Sequence, residues 1–343
     1  MAVLWLGLTT ALGPGGEAPA EAETELAEAL ALSGLEVRAW RVGQPLPADL
    51  RGVEALVLSG SALASGASAT ADPKGHLEVS ALVDAARSAE LPLLTLGPAA
   101  RLLGEEEPEG AVRRSSRTIW SLPARGAGRE RGEACLRFAE MVAAGREHAM
   151  TRAFFTPRAE GWEKRFPDDE PRYRAAVALL RLVPGQVVLD VGCGTGRALP
   201  LLREAVGPRG TVLGTDLTPA MLREATRLGR GRSAVLAVAD CAGLPLGDGA
   251  LHGVFAAGVL HHLPDPHAGL RELARVCAPG ARLALFHPVG RAVLAARHGR
   301  VLGPDDLLAE PNLRPALTRA GWRLTRYEDE KHRFVALATR TGN

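Results

Sequence analysis

The chain has 343 residues, enough for about two domains, and its 46% hydrophobic and 23% charged residues make a globular composition able to fill cores. A net charge of +2, from 41 basic and 39 acidic residues, argues against nucleic acid as an obligate partner, and 4% aromatic content offers little for stacking on single strands. The four cysteines, Cys135, Cys193, Cys241 and Cys277, form no CxxC pair, so neither a zinc site nor a disulfide framework is expected. The apolar opening MAVLWLGLTTALGPGG lacks a basic flank and is too short to span a bilayer, so it reads as a buried strand in a cytoplasmic protein with no membrane partner.

Residues 1–145 alternate strand-like and helix-like segments. AVLWLGL, EVRAW, VEALVLSG and LPLLTLG read as strands. EAETELAEALALSG and LEVSALVDAARSAE carry apolar residues at helical spacing. SALASGASATADPKG reads as a loop, and TIWSL and GEACLRFAEMVAAG as a closing strand and helix. Alternation of this kind predicts a parallel sheet flanked by helices, an α/β fold.

Residues 146–184 form a bridge holding Phe154, Phe155, Trp162, Phe166 and Tyr173, five of the 14 aromatics. They suit the core of a small helical cap or a lid over a ligand; their position just ahead of a glycine motif favours the lid. Strand–helix alternation resumes over 185–343.

The stretch VVLDVGCGTGRALPLL spans residues 187–202 and reads as strand, tight turn, helix. Gly192, Gly194 and Gly196 stand on alternate positions behind Asp190. Glycine admits positive φ and removes the Cβ that would hold a ligand off the backbone, and the following helix offers free N–H groups. The spacing is GxGxG with Arg197 next, not the GxGxxG of a nicotinamide fingerprint. Asp216, at the end of the next strand, stands where an acidic residue can accept from ribose hydroxyls.

DVGCGTG followed in order by TDLTPAML, VADCAGLPL, VLHHLPDP and APGARLALF resembles the class I S-adenosylmethionine-dependent methyltransferases over residues 171–339. The resemblance is closest to the small-molecule branch with the ubiquinone- and menaquinone-type enzymes. It implies a Rossmann-like domain, S-adenosyl-L-methionine as cofactor and a small-molecule acceptor. It also implies site residues. Asp190 would face the methionine amino group, and the three glycines would let methionine and ribose lie on the backbone. Asp216 would hold the ribose hydroxyls, Leu217 and Met221 would pack on adenine, and Asp240, with Cys241 beside it, would meet the adenine amino group. Gly258 would lie near the methyl.

Methyl transfer from a sulfonium rests largely on orientation, and a general base is required only where the acceptor loses a proton. His261, His262 and His287 follow predicted strands, and His262 and His287 are the candidates carried forward, with His287 better placed. Arg291, Arg297 and His298 read as a solvated helix face, and His332 and Arg333 as part of the last hairpin.

The first half resembles the class I glutamine amidotransferases through LEVRAW, VEALVLSGS and LVDAARSAELPLLTLGPAARLLG. Gly97 occupies the position of that family's nucleophilic cysteine, so no thioester can form. The expectation is a degenerate amidotransferase-like or flavodoxin-like α/β domain serving binding, docking or homodimer formation. A non-catalytic S-adenosylmethionine-binding scaffold whose first half recruits a partner is the alternative to an enzyme. An NAD-dependent oxidoreductase is disfavoured by the glycine spacing.

Overall fold

The computed structural model describes residues 2–6, 21–40, 50–59, 73–104, 106, 112–116, 118–123, 128–165 and 169–342. The chain divides into two compact units, Met1–Glu147 and His148–Asn343. In the first, β1 (Ala2–Leu6), α1 (Glu21–Leu32), β2 (Val37–Trp40), β3 (Val53–Leu58), α2 (Pro73–Ser88) and β4 (Leu93–Leu96) alternate. β5 (Arg113–Arg114), β6 (Ile119–Leu122) and α3 (Gly128–Phe155) follow. The strands lie in the order β2-β1-β3-β4-β6-β5, parallel except for β5 against β6.

All five residues of β1 are buried, as a continuous apolar strand must be when both faces of a parallel sheet are covered. The Trp5 indole N–H donates to Ser59 Oγ at 2.8 Å, and Thr95 Oγ1 donates to Ser121 Oγ at 2.9 Å. Arg131 of α3 is fully buried and clamps α1, its Nε and Nη2 donating to the Glu25 carboxylate at 2.7 and 3.1 Å.

Two elements differ from the sequence expectation. The helix expected over 132–145 runs on to Phe155, because Gly145 is followed by helix-forming Arg, Glu, Ala and Met, with no proline before Pro157. Phe154 and Phe155 therefore stand in its last turn. The second helix begins at Pro73 rather than 77, while residues 61–72 of the expected loop, and Phe166 of the bridge, lie outside the described residues.

The second unit contains α4 (Glu170–Ala178), β7 (Val187–Val191), α5 (Leu199–Val206), β8 (Thr211–Asp216), α6 (Pro219–Arg227), β9 (Val235–Val238) and β10 (Leu251–Ala257). It continues with α7 (Pro266–Val276), β11 (Cys277–His287), α8 (Arg291–Arg297), α9 (Glu310–Arg319), β12 (Trp322–Glu330) and β13 (Arg333–Arg340). The sheet order is β12-β13-β11-β10-β7-β8-β9, with β13 antiparallel to β11 and to β12. The order reverses between β7 and β10, and open α/β sheets bind ligands in the crevice outside the carboxyl ends at such a switch point. Antiparallel β13 stands where a dinucleotide-binding sheet carries a sixth parallel strand.

Alternation along β7 builds two cores. Val188 packs with Phe255, Phe286, Val177 and Leu202 on one face. Leu189 and Val191 pack with Leu270, Leu273, Leu313 and Leu317 on the other. Each such side chain contributes about 1.5–3 kcal/mol on burial, which fixes the strand ends around the switch point. Among the described residues, no helix is long and apolar enough to cross a membrane.

Candidate functional site

The turn after β7 holds Gly192, Gly194 and Gly196 at φ of +63°, +54° and +79°, a region other residues enter at a cost. Their surroundings differ. A Cβ on Gly192 would lie 2.6 Å from Val259 Cγ2, and one on Gly196 would lie 2.8 Å from Leu199 Cδ1. A Cβ on Gly194 would meet nothing within 4 Å. Of the three glycines expected to lie against a ligand, only Gly194 faces open space; the other two make room for protein packing.

Asp216, at the end of β8, accepts the Gly194 N–H on Oδ2 at 2.9 Å and the Thr218 N–H on Oδ1 at 2.7 Å. Burial pushes its pKa up, and the two N–H bonds oppose that. Asp190, near the end of β7, is 2% exposed, and among the described residues no hydrogen bond reaches its carboxylate. Burial, then the negative charge of Asp216, pushes its pKa well above the usual carboxylate range. Two crowded carboxylates, one unpartnered, stand at the switch point beside an open stretch of backbone. Such a site is stabilised by a cation carrying N–H donors. The residues therefore fit the ammonium of S-adenosylmethionine.

The other expected residues spread along the same edge. Leu217 is half-buried and Met221 buried beyond Asp216. Asp240 accepts the Ala242 N–H at 2.9 Å, and His148 Nε2 lies 3.8 Å from the same oxygen. Cys241 turns its side chain away from this edge. Its side chain is packed into the core with Leu244, Leu260 and Leu270, and burial pushes the thiol up to about 12. Gly258 follows β10 at φ +67°, and a Cβ there would lie 3.5 Å from His287 Cδ2, so it joins the ends of β10 and β11.

Beyond Gly258 lies a cleft lined by apolar groups, among them Val259, Leu260, Leu285, Val289 and Phe334, with His261, His287 and Arg291 as its polar members. His287 is the last residue of β11, and its Nδ1 lies 3.0 Å from the Val289 carbonyl and 3.2 Å from the Val289 N–H. In the tautomer that donates to the carbonyl, the shorter contact, Nε2 is the basic nitrogen; in the one that accepts the N–H, Nε2 carries the proton. Burial lowers the His287 pKa, and the Val289 bond opposes that.

His262 is not among the residues lining the cleft. It is exposed, its ring packs edge-on against Phe155 at 5.1 Å and lies tilted against the His261 ring at 4.1 Å, and it is His261 that lines the cleft. The expected solvated face on α8 is also corrected at one position. Arg291 donates to Asp306 at 2.7 Å and to Asp329 at 3.0 Å, and it is part of the cleft wall. Arg297 and His298 are exposed.

Glu163 escaped the sequence reading. Its carboxylate accepts Thr195 Oγ1 at 2.6 Å, Arg197 Nε at 3.0 Å and Arg230 Nη2 at 2.8 Å. Burial works to raise its pKa, but the Arg230, Thr195 and Arg197 contacts outweigh it and hold the group at about 2. The available signal was Arg197 itself, since an arginine inside a half-buried glycine turn requires a carboxylate close by. Among the described residues, no cluster of three His, Cys, Asp or Glu is arranged to hold a metal.

Residues 189–285 match a family model described as a methyltransferase domain. The chain is 40% identical over 106 residues to an uncharacterised 37.1 kDa protein in transposon TN4556 of Streptomyces fradiae, covering 31% of each chain. It is 35% identical over 127 residues to the aklanonic acid methyltransferase DauC of Streptomyces sp. strain C5, covering 36% of this chain and 57% of that one. A solved S-adenosylmethionine-dependent methyltransferase from Aquifex aeolicus is similar at 28% identity and a TM-score of 0.42, covering 49% of this chain and 89% of that one. This chain spans about a third to a little over half the length of these curated relatives. Residues 189–285 thus match a methyltransferase domain, and they contain the glycine turn, Asp190 and Asp216.

Proposed function

We propose that this protein transfers a methyl group from S-adenosylmethionine to a small-molecule acceptor, in the manner of the secondary-metabolite and quinone enzymes that its second unit resembles. The observation that carries the reading is Asp190, a buried carboxylate without a hydrogen-bond partner, beside Asp216 and the open face of Gly194. S-adenosylmethionine, when bound, supplies the electrophilic methyl. Asp190 holds the amino group, Gly194 gives room along the backbone, and Asp216, Leu217 and Asp240 hold the ribose and adenine. The apolar cleft next to Gly258 takes the acceptor. There Leu260, Leu285 and Phe334 exclude water, and His287 Nε2 receives the proton of an acceptor hydroxyl.

For the first unit we propose a docking or dimerising role without catalysis, on a flavodoxin-like or degenerate amidotransferase-like sheet. The order β2-β1-β3-β4-β6 supports the flavodoxin-like reading. Gly97 directly follows β4 at φ +57° and opens the turn where an amidotransferase holds its cysteine, and Cys135 is buried within α3. A cytoplasmic setting agrees with four buried, unpaired cysteines.

Calorimetry with S-adenosylmethionine and with NAD, followed by isotopic methyl transfer into cell-extract fractions, tests the reading. Binding of the first ligand alone, with label passing to a small molecule, is expected. Tight NAD binding overturns it, and S-adenosylmethionine binding without transfer to any fraction favours the scaffold alternative.

A further inference from the structure

We propose that Glu163 is a positioning residue for the cofactor turn, locking Thr195 from outside the glycine motif and fastening residues 156–165 over it as the same event. The inference rests on the S-adenosylmethionine reading of the site. Thr195 lies between Gly194, whose backbone faces open space, and Gly196, whose backbone is pressed against Leu199. A peptide flanked by two glycines has few steric constraints of its own. Its geometry must come from outside contacts.

Those contacts converge on one carboxylate. Thr195 is 1% exposed and its hydroxyl donates to Glu163 Oε1, the oxygen that also accepts Arg197 Nε. Glu163 Oε2 accepts Arg230 Nη2, and Arg230 Nη1 donates to the Thr195 carbonyl at 3.0 Å. Side chain and backbone of Thr195 are thereby held through a closed ring of charge-assisted bonds, the stronger kind. Asp169, 7% exposed, adds a second carboxylate 3.4 Å from Arg197 Nη1.

The same carboxylate belongs to the aromatic segment. Trp162, its neighbour, meets Phe155 edge-on at 5.6 Å, and Phe155 meets His262 beyond β10. The segment is therefore tied to both sides of the switch point, by charge at the glycine turn and by ring contacts at the other. Releasing Glu163 would free the turn and the segment together, and cofactor held by Gly194 would lose its support.

Hydrogen exchange of the Gly194 and Gly196 amides tests this without any ligand, comparing the native chain with Glu163→Gln and with the near-isosteric pair Thr195→Val and Thr195→Ser. Faster exchange in Glu163→Gln and Thr195→Val is expected, with native protection in Thr195→Ser. The Kd for S-adenosylhomocysteine should rise about tenfold or more in the first two and less than about threefold in the third. In turnover, KM for S-adenosylmethionine should rise while kcat at saturation stays within about twofold. Native exchange at Gly194 and Gly196 in folded Glu163→Gln and Thr195→Val overturns the proposal, whatever the cofactor proves to be. Failure of the native chain to bind S-adenosylhomocysteine defeats the functional reading alone, because the exchange experiment still decides what Glu163 does.

Discussion

The carboxylate of Asp216 accepts the backbone N–H of Gly194 at 2.9 Å, so the residue expected to face the ribose also shapes the turn in front of it. Its second oxygen holds the Thr218 N–H at the start of α6. Asp216→Ala removes both bonds, each worth about 1.5–3 kcal/mol when the acceptor is charged. It should lower the melting temperature and weaken S-adenosylmethionine at least tenfold. Asp216→Asn keeps one acceptor oxygen but turns an NH2 donor toward the other N–H, so it should restore only part of the stability and little of the affinity. Calorimetry and thermal unfolding on the pair measure the two roles separately; equal affinity in both variants and the native protein would leave Asp216 only as a cap.

The three glycines should separate in the same two measurements. Gly194→Ala places a methyl in open space, at a backbone cost of about 1–2 kcal/mol, and should abolish cofactor binding with a modest loss of stability. Gly192→Ala and Gly196→Ala drive a Cβ into Val259 and Leu199, and should lower stability more. A Gly194→Ala protein that binds as the native one does would remove that residue from the site.

Asp190 should oppose stability to binding. Its pKa is higher folded than unfolded, so the native state holds its proton more tightly, and stability falls as pH rises from about 4 toward the raised value. Asp190→Asn should therefore raise the melting temperature at pH 7, with little change at pH 4, while weakening S-adenosylmethionine. On the proposed reading the cofactor binds the charged carboxylate, so affinity should climb with pH until that group is ionised. Binding that does not change with pH, or a destabilised Asp190→Asn, would count against this.

His287 carries a prediction about rate. Burial lowers its pKa, so the neutral base persists through pH 7 and activity should decline only below about 6.5, the ordinary histidine value. His287→Asn should reduce kcat by about 10²- to 10⁴-fold with KM for S-adenosylmethionine within about twofold. Full activity in that variant would mean that transfer proceeds by positioning alone.

In the first unit, Arg131 is fully buried against Glu25. Arg131→Ala leaves that carboxylate unpaired at the α1–α3 contact and should cost about 3 kcal/mol, read as a lower denaturation midpoint. A near-native midpoint would show that the charge pair contributes little there.

Much of this was legible along the chain. Strand-length apolar runs, a glycine turn behind Asp190 and an acidic residue after the next strand are local patterns, and local patterns determine strand, turn and helix. They placed Asp190, Asp216 and Gly258 at carboxyl ends before any contact was known. Which glycine faces a ligand was not local. It depends on Val259 and Leu199, brought in by β10 and α5, and only packing reveals that Gly194 alone is open. The same holds for Cys241, drawn into the core behind Asp240, and for Arg291, neutralised by Asp306 and Asp329 from later elements. Glu163 lies 32 residues from Thr195, in a segment whose own sequence suggests only aromatic cover. A carboxylate acquires its role from the cations that meet it in space, and that meeting is decided by the tertiary structure.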